Sequence, residues 1–157
     1  GMAAQYVFED MVRVPVRVEL ASEFRYRNPI LNPKALAIII SQSGETADSL
    51  AALRLAKEKG IKTLGIVNVV GSSIAREADN VFYTLAGPEI AVATTKAYST
   101  QLIAAYCLAI QFAIVRGTID EAKYLELIQE MAQLPDKIQK IIEESGINYL
   151  IIIILSI

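Results

Sequence analysis

The chain has 157 residues, of which 54% are apolar, 20% are charged and 7% are aromatic. A chain of this length makes one domain with a substantial core. It contains one cysteine and no histidine, which excludes an internal disulfide, a Ser-His-Asp or Cys-His catalytic group and a histidine-containing zinc site. The net charge of −2, with basic residues scattered along the chain, argues against a nucleic-acid partner.

The apolar fraction raises the question of membrane segments. The two longest apolar stretches cover residues 102–115 and 150–157, both shorter than the roughly 20 residues that a span requires. The N-terminal residues carry acidic charge and form no cleavable apolar run. We therefore expect no membrane partner. The lone Cys107 favours a reducing compartment, so the expected location is cytoplasmic.

Helices and strands alternate along most of the chain. The apolar spacing of residues 3–13 predicts a first helix, which Pro15 ends. The other predicted helices cover residues 46–59, 73–78, 94–115, 118–133 and 135–144. Five β-prone runs predict strands over residues 16–20, 35–40, 62–67, 81–85 and 149–155. Residues 21–33 form a polar connection. This order predicts an α/β three-layer sandwich around a five-stranded parallel sheet, in a single domain over residues 1–157.

The most informative segment is the turn that follows strand 35–40. Ser41, Gln42, Ser43 and Thr46 crowd one turn between a buried strand and a helix N-terminus, where α/β folds bind ligands. Hydroxyl and amide donors without added charge suit a phosphate monoester. The turn has no Walker lysine and no GxGxxG motif, which argues against a nucleoside triphosphate or a dinucleotide. The plainer alternative is that Ser43 or Thr46 only caps the helix.

Two further turns lie at the same predicted sheet edge. Ser72 and Ser73 follow strand 62–67, and helix capping is the favoured reading for both. The small residues Val92 and Thr94 precede the long helix, where a sugar could contact their backbone, although a plain helix start is equally consistent with the sequence.

Four motifs in order resemble a known family. The segments ASEFRYR (21–27), SQSGETADSL (41–50), NVVGSSIAREAD (68–79) and AGPEIAVATTKAYSTQL (86–102) resemble the first sugar-isomerase (SIS) domain of glucosamine-6-phosphate synthases, over about residues 3–144. The resemblance implies a flavodoxin-like SIS fold that binds fructose 6-phosphate or glucosamine 6-phosphate. It assigns the phosphate to Ser41, Gln42, Ser43 and Thr46, and the sugar to the backbone at Val92 and Thr94. It implies no cofactor or metal.

The chain also departs from that family. The histidine, glutamate and lysines that catalyse the reaction in these synthases lie outside the matching segment, so the chain is expected to bind sugar phosphate without catalysing a reaction alone. Two alternatives stay open: a re-engineered scaffold with vestigial binding, and part of an active aminotransferase when joined to the missing domains. The helix predicted over 94–115 is apolar almost all round, and SIS domains commonly form dimers. We therefore expect a homodimer.

In the family, a central strand that ends in a Gly-Thr-Ser loop precedes the first helix, whereas this chain starts at the helix. An unfilled central position would leave buried backbone groups unpaired. We therefore expect strand 149–155 to insert between strands 16–20 and 35–40 in a permuted or rearranged domain. The alternatives are a truncated strand of the second SIS domain and a strand exchanged between two chains.

Overall fold

The computed structural model describes residues 1–88, 90 and 94–144. The chain opens with helix α1 (Met2–Val7), which continues into a π-helical turn (Phe8–Val12). The later helices are α2 (Ala21–Tyr26), α3 (Ala47–Glu58), α4 (Ser73–Glu77), α5 (Thr95–Arg116), α6 (Glu121–Ala132) and α7 (Leu134–Glu144). The strands are β1 (Leu36–Ser41), β2 (Lys62–Val67) and β3 (Asn80–Tyr83). The sequence thus folds as the predicted α/β type.

The strands form a parallel sheet in the order β1-β2-β3. Leu36 pairs with Lys62 at the start of β1, and Ser41 pairs with Val67 at its end. All five residues of β2 after Lys62 are buried, as expected for a strand with neighbours on both sides. Because the strands are parallel, their carboxyl ends share one edge of the sheet.

The sheet carries a separate apolar cluster on each face. Ile38 packs against a cluster built on Phe8, Val12, Ala109 and Ala113, which joins the first helical segment to α5. The rings of Phe8 and Phe112 meet edge to face, with centroids 5.7 Å apart. On the opposite face, the next residue of β1, Ile39, packs against the cluster of Leu53, Val67 and Ile74. The alternation of side chains along β1 therefore produces the predicted three layers.

The predicted strand over 16–20 is wrong. The backbone of Val16 bonds to side chains of the first helical segment: its N–H donates to Glu9 Oε1 at 3.0 Å, and its carbonyl accepts from Gln5 Nε2 at 3.0 Å. These bonds occupy backbone groups that a neighbouring strand would need. The described part of the chain thus contributes three strands to the sheet. The predicted strand 149–155 lies outside the described residues, and its expected place between strands 16–20 and 35–40 is wrong because the first of these strands does not form.

One helix was not expected from the sequence, and the longest helix agrees with its prediction. The polar connection predicted over 21–33 contains the short helix α2, which packs on α3 and places Arg25 Nη1 2.8 Å from Asp48 Oδ1. The long helix α5 agrees with the prediction and ends at Gly117, whose φ of 72° provides the left-handed cap. Among the described residues, Lys96–Arg116 is the one helical stretch with the length and composition to cross a bilayer, a test that core helices of water-soluble domains also pass.

Candidate functional site

The candidate site is the turn over residues 41–46, which joins β1 to α3. The Oγ atom of the buried Ser41 accepts a hydrogen bond from the Gly44 N–H at 3.1 Å and lies 3.1 Å from Thr46 Oγ1. Ser43 Oγ accepts from the Glu45 N–H at 3.2 Å. The structure therefore pairs two of the predicted phosphate-binding residues, Ser41 and Thr46, and holds the hydroxyl of a third, Ser43, in the same turn.

These bonds leave hydroxyl protons available to a ligand. A serine or threonine hydroxyl has one proton to donate and two lone pairs that accept. Ser43 uses a lone pair for Glu45, so its proton is free to point outward. In the pair formed by Ser41 and Thr46, one hydroxyl donates to the other and the second keeps its proton. The 41–46 turn thus presents two hydroxyl donors after its own backbone bonds are satisfied.

The N-terminus of α3 adds backbone donors. Thr46 occupies the cap position, but no side chain caps the helix, and the carbonyl of Thr46 accepts from the Leu50 N–H at 2.9 Å. The capping role considered for Ser43 and Thr46 is therefore not the one they have. An uncapped helix start offers free N–H groups and the positive end of the helix dipole to an anion.

The other residues predicted to bind the ligand are Gln42, Val92 and Thr94. Gln42 is half-buried, and its carbonyl accepts from the Asn68 N–H at 3.0 Å, which fixes its backbone at the sheet edge. Thr94 is half-buried at the cap position of α5, with a left-handed φ of 54°. Val92 lies outside the described residues.

The turn over residues 68–72, which joins β2 to α4, lies beside the 41–46 turn. Asn68 is the residue that sequence reasoning missed. Its Nδ2 donates to the Gly87 carbonyl at 2.7 Å, and its Oδ1 accepts from the Ala86 N–H at 2.7 Å and the Thr84 hydroxyl at 3.1 Å. A polar residue directly after a buried strand was the available signal. Asn68 binds the segment that leaves β3 to the end of β2.

Capping by Ser72, the favoured reading of its sequence position, is wrong. Ser72 is at the cap position of α4, yet its side chain makes no capping bond. The Glu45 carboxylate accepts from the Ser73 N–H at 2.7 Å instead. Hydrogen bonding with Ser73, through its side chain first and then its backbone, and the positive charge of nearby Arg76 lower the pKa of Glu45 below its usual value. Asp48, in the first turn of α3, is paired with Arg25. Both carboxylates close to the 41–46 turn thus have a donor of their own.

Comparisons with known proteins agree with this geometry. The SIS domain family profile matches residues 1–111. The chain is 56% identical over 147 residues to a glutamine–fructose-6-phosphate aminotransferase (isomerizing) from Caldanaerobacter subterraneus subsp. tengcongensis, and equally identical to one from Clostridium tetani. The match covers 94% of this chain and 24% of each relative. The chain therefore spans about a quarter of the length of these relatives.

A solved structure gives the same result for the fold. The C-terminal domain of glucosamine-fructose-6-phosphate aminotransferase from Francisella tularensis superimposes with a TM-score of 0.83 at 40% identity. The superposition covers 85% of this chain and 38% of that one.

Proposed function

Because the chain belongs to the SIS domain family, we propose that its 41–46 turn binds the phosphate group of a hexose 6-phosphate, either fructose 6-phosphate or glucosamine 6-phosphate. The observation that carries the proposal is the set of free donors in this turn. The hydroxyls of Ser43 and of the pair Ser41 and Thr46 accept locally and keep protons for the ligand. Gln42 supplies an amide from the same turn.

The neutral donors of the turn fit a phosphate monoester. Phosphate would be held by neutral donors and the dipole of α3, with no cation in the turn itself. Hydrogen bonds to a charged group contribute about 1.5–3 kcal/mol each, so a few of them are enough for binding in the micromolar to millimolar range. The segment that includes Val92 and Thr94 would contact the sugar through its backbone.

We propose that the chain acts as a binding domain within a longer aminotransferase of the glucosamine-6-phosphate synthase type. The 56% identity over 94% of the chain favours this placement. The 157 residues contain no histidine, and the chain covers a quarter of its relatives, so we expect no glucosamine 6-phosphate formation by the chain alone. An enzymatic assay with glutamine and fructose 6-phosphate tests this, and turnover by the isolated chain would contradict it.

Calorimetry of ligand binding tests the phosphate site. Fructose 6-phosphate, glucosamine 6-phosphate and inorganic phosphate are titrated into the wild type, Ser43→Ala and Thr46→Ala. Loss of one charge-assisted hydrogen bond should weaken binding about tenfold in each variant. Thr118→Ala is the control, since its hydroxyl donates to the carbonyls of Met11 and Ala113 and lies beyond the C-terminal end of α5, about 33 Å from the start of that helix.

The alternative, a scaffold with vestigial binding, predicts a different result. The absence of heat from the wild type at millimolar ligand would support it and would contradict the proposed site. Equal affinity in wild type and Ser43→Ala would place any bound sugar phosphate elsewhere on the protein.

We also propose that strand 149–155 completes the sheet beside β1 and that the domain is a homodimer. Within the described residues β1 pairs only with β2, which leaves its other edge available. Truncation after residue 146 should then lower the free energy of unfolding; an unchanged value would contradict the strand proposal. Tyr98, Ile103 and Tyr106 expose apolar surface on α5, as an interface would require. A monomer in light scattering would contradict the dimer.

A further inference from the structure

Helix α4 receives its N-terminal cap from another turn. Ser72 occupies the cap position with extended backbone angles, φ −61° and ψ 163°, and serine is among the best capping residues. Its hydroxyl nevertheless makes no bond to its own helix. The Glu45 carboxylate, 28 residues earlier in the chain, accepts from the Ser73 N–H at 2.7 Å. The capping bond therefore joins the candidate site to α4.

The Ser72 hydroxyl is directed at the 41–46 turn. Its Oγ is buried, and among the described residues it has no hydrogen-bond partner. A Cβ added to Gly44 would lie 2.1 Å from this oxygen, so the hydroxyl fills the space that a side chain at Gly44 would occupy. The side chain that would ordinarily cap α4 thus packs against Gly44, and the side-chain cap of the helix comes from Glu45 instead.

Two backbone hydrogen bonds reinforce the connection. The Asn68 N–H donates to the Gln42 carbonyl at 3.0 Å, and the Ile74 N–H donates to the Gly44 carbonyl at 3.0 Å. Together with the Glu45 carboxylate, they attach three of the six residues in the 41–46 turn to the 68–72 turn and to the first residues of α4. Of these three attachments, only that of Glu45 depends on a side chain, so substitution can remove it selectively.

Glu45 is also linked to one of the predicted phosphate ligands. Its N–H donates to Ser43 Oγ at 3.2 Å, and this bond orients the hydroxyl so that its proton is free. Release of the carboxylate from Ser73 would let the Glu45 backbone move and would take the Ser43 hydroxyl with it. It would also free a negative charge beside a site proposed for an anion.

We propose that Glu45 is a positioning residue: by capping α4 it fixes the Ser43 hydroxyl for phosphate and keeps its own carboxylate away from the ligand. This inference rests on the proposed phosphate site and assigns to Glu45 no contact with the sugar phosphate. It predicts that the hydrogen-bond acceptor at position 45 matters for binding and that the charge there does not.

The test compares Glu45→Ala, Glu45→Gln and Glu58→Ala. Glutamine keeps an acceptor oxygen, alanine removes it, and Glu58 is an exposed glutamate at the other end of α3 that serves as the matched control. Loss of a helix cap corresponds to about a fivefold change in an equilibrium, so we expect Glu45→Ala to bind fructose 6-phosphate about fivefold more weakly. Glu45→Gln and Glu58→Ala should stay within about twofold of the wild type.

A second measurement tests the capping of α4 by Glu45 in the absence of ligand. Amide hydrogen exchange at Ser73 should accelerate in Glu45→Ala and remain near the wild-type rate in Glu45→Gln. Unchanged exchange in the alanine variant would overturn the capping role. Wild-type affinity in Glu45→Ala would overturn the inference and leave the phosphate site standing.

Two other outcomes also count against the positioning role. An equal loss of affinity in the glutamine and alanine variants would show that the ligand requires the charge itself. A wild type that binds no sugar phosphate, despite slow exchange at Ser73, would overturn the proposed function, and the positioning role would fail with it.

Discussion

The 41–46 turn and the 68–72 turn stand in equivalent places, since each follows a parallel strand and leads into a helix. The first keeps hydroxyl protons and the uncapped start of α3 available. The second directs its polar groups into the protein: Asn68 binds three groups near the end of β3, and Ser72 Oγ, which has no partner among the described residues, is buried against Gly44. Position at the sheet edge therefore does not distinguish a binding turn from a supporting one. The two kinds of turn are distinguished by the number of accessible donors that remain after internal hydrogen bonding.

The substitution Gly44→Ala should have the largest effect, because it forces the two turns apart. Gly44 has a φ of 68°, and an added Cβ would lie 2.1 Å from Ser72 Oγ and 2.6 Å from Ser72 Cβ. Left-handed strain and overpacking together should lower the free energy of unfolding by about 2–4 kcal/mol, measured by urea denaturation. Binding of fructose 6-phosphate should be lost.

The control for this variant is Gly60→Ala. Gly60 has a similar φ of 75° but no atom within 4 Å of an added Cβ, so only the backbone strain of about 1–2 kcal/mol applies. Equal destabilisation by the two substitutions would show that the contact between Gly44 and Ser72 contributes nothing.

The substitution Asn68→Ala tests whether the 68–72 turn supports rather than binds. It leaves the Ala86 N–H and the Gly87 carbonyl without their partner, which should lower the free energy of unfolding by about 1–3 kcal/mol. Asn80→Ala, at an exposed position at the start of β3, is the control. If Asn68→Ala weakened ligand binding as much as Ser43→Ala while leaving stability intact, the distinction between the turns would not hold.

The substitution Ser72→Ala should have a smaller effect of opposite sign. It removes a buried hydroxyl that lacks a partner among the described residues and keeps the Cβ that packs near Gly44. Relief of the desolvation cost should raise the melting temperature by about 1–3 °C in thermal unfolding. A fall of several degrees would show that the hydroxyl makes a stabilising contact.

Acid titration provides the most local test. Hydrogen bonding from Ser73 and the positive charge of Arg76 lower the pKa of Glu45 below its usual value. The stabilising contribution of Glu45 is therefore present above the unfolded-state pKa and is lost as the pH falls through the folded-state pKa. The Ser73 amide resonance should follow this titration, with a midpoint below the usual pKa of a glutamate. The same resonance in Glu45→Gln should not follow this curve.

Much of the fold follows from local sequence. The apolar runs of β1, β2 and β3 and the stop signals at Gly60 and Gly117 place these elements correctly, because each signal lies within its own element. The β-prone run over residues 16–20 predicts a strand that does not form. The side chains of Gln5 and Glu9 bond to this segment across 11 and 7 residues, and no local pattern indicates that choice.

In the candidate site, too, some features follow from local sequence and others depend on contacts between distant residues. The hydroxyls of Ser41, Ser43 and Thr46 were identifiable because they follow a buried strand and precede a helix. The role of Glu45 depends on a bond to Ser73, 28 residues away. Serine at a helix start predicts a cap, and only the packing against Gly44 explains why Ser72 does not provide it.

The close approach of Ser72 to Gly44 makes these two positions a single unit for protein engineering. Their effects on stability should be strongly non-additive, because residue 72 determines what residue 44 can tolerate. Gly44→Ala combined with Ser72→Gly would remove the steric conflict and leave only the left-handed strain. A designer who wishes to rigidify this turn must therefore change both residues together.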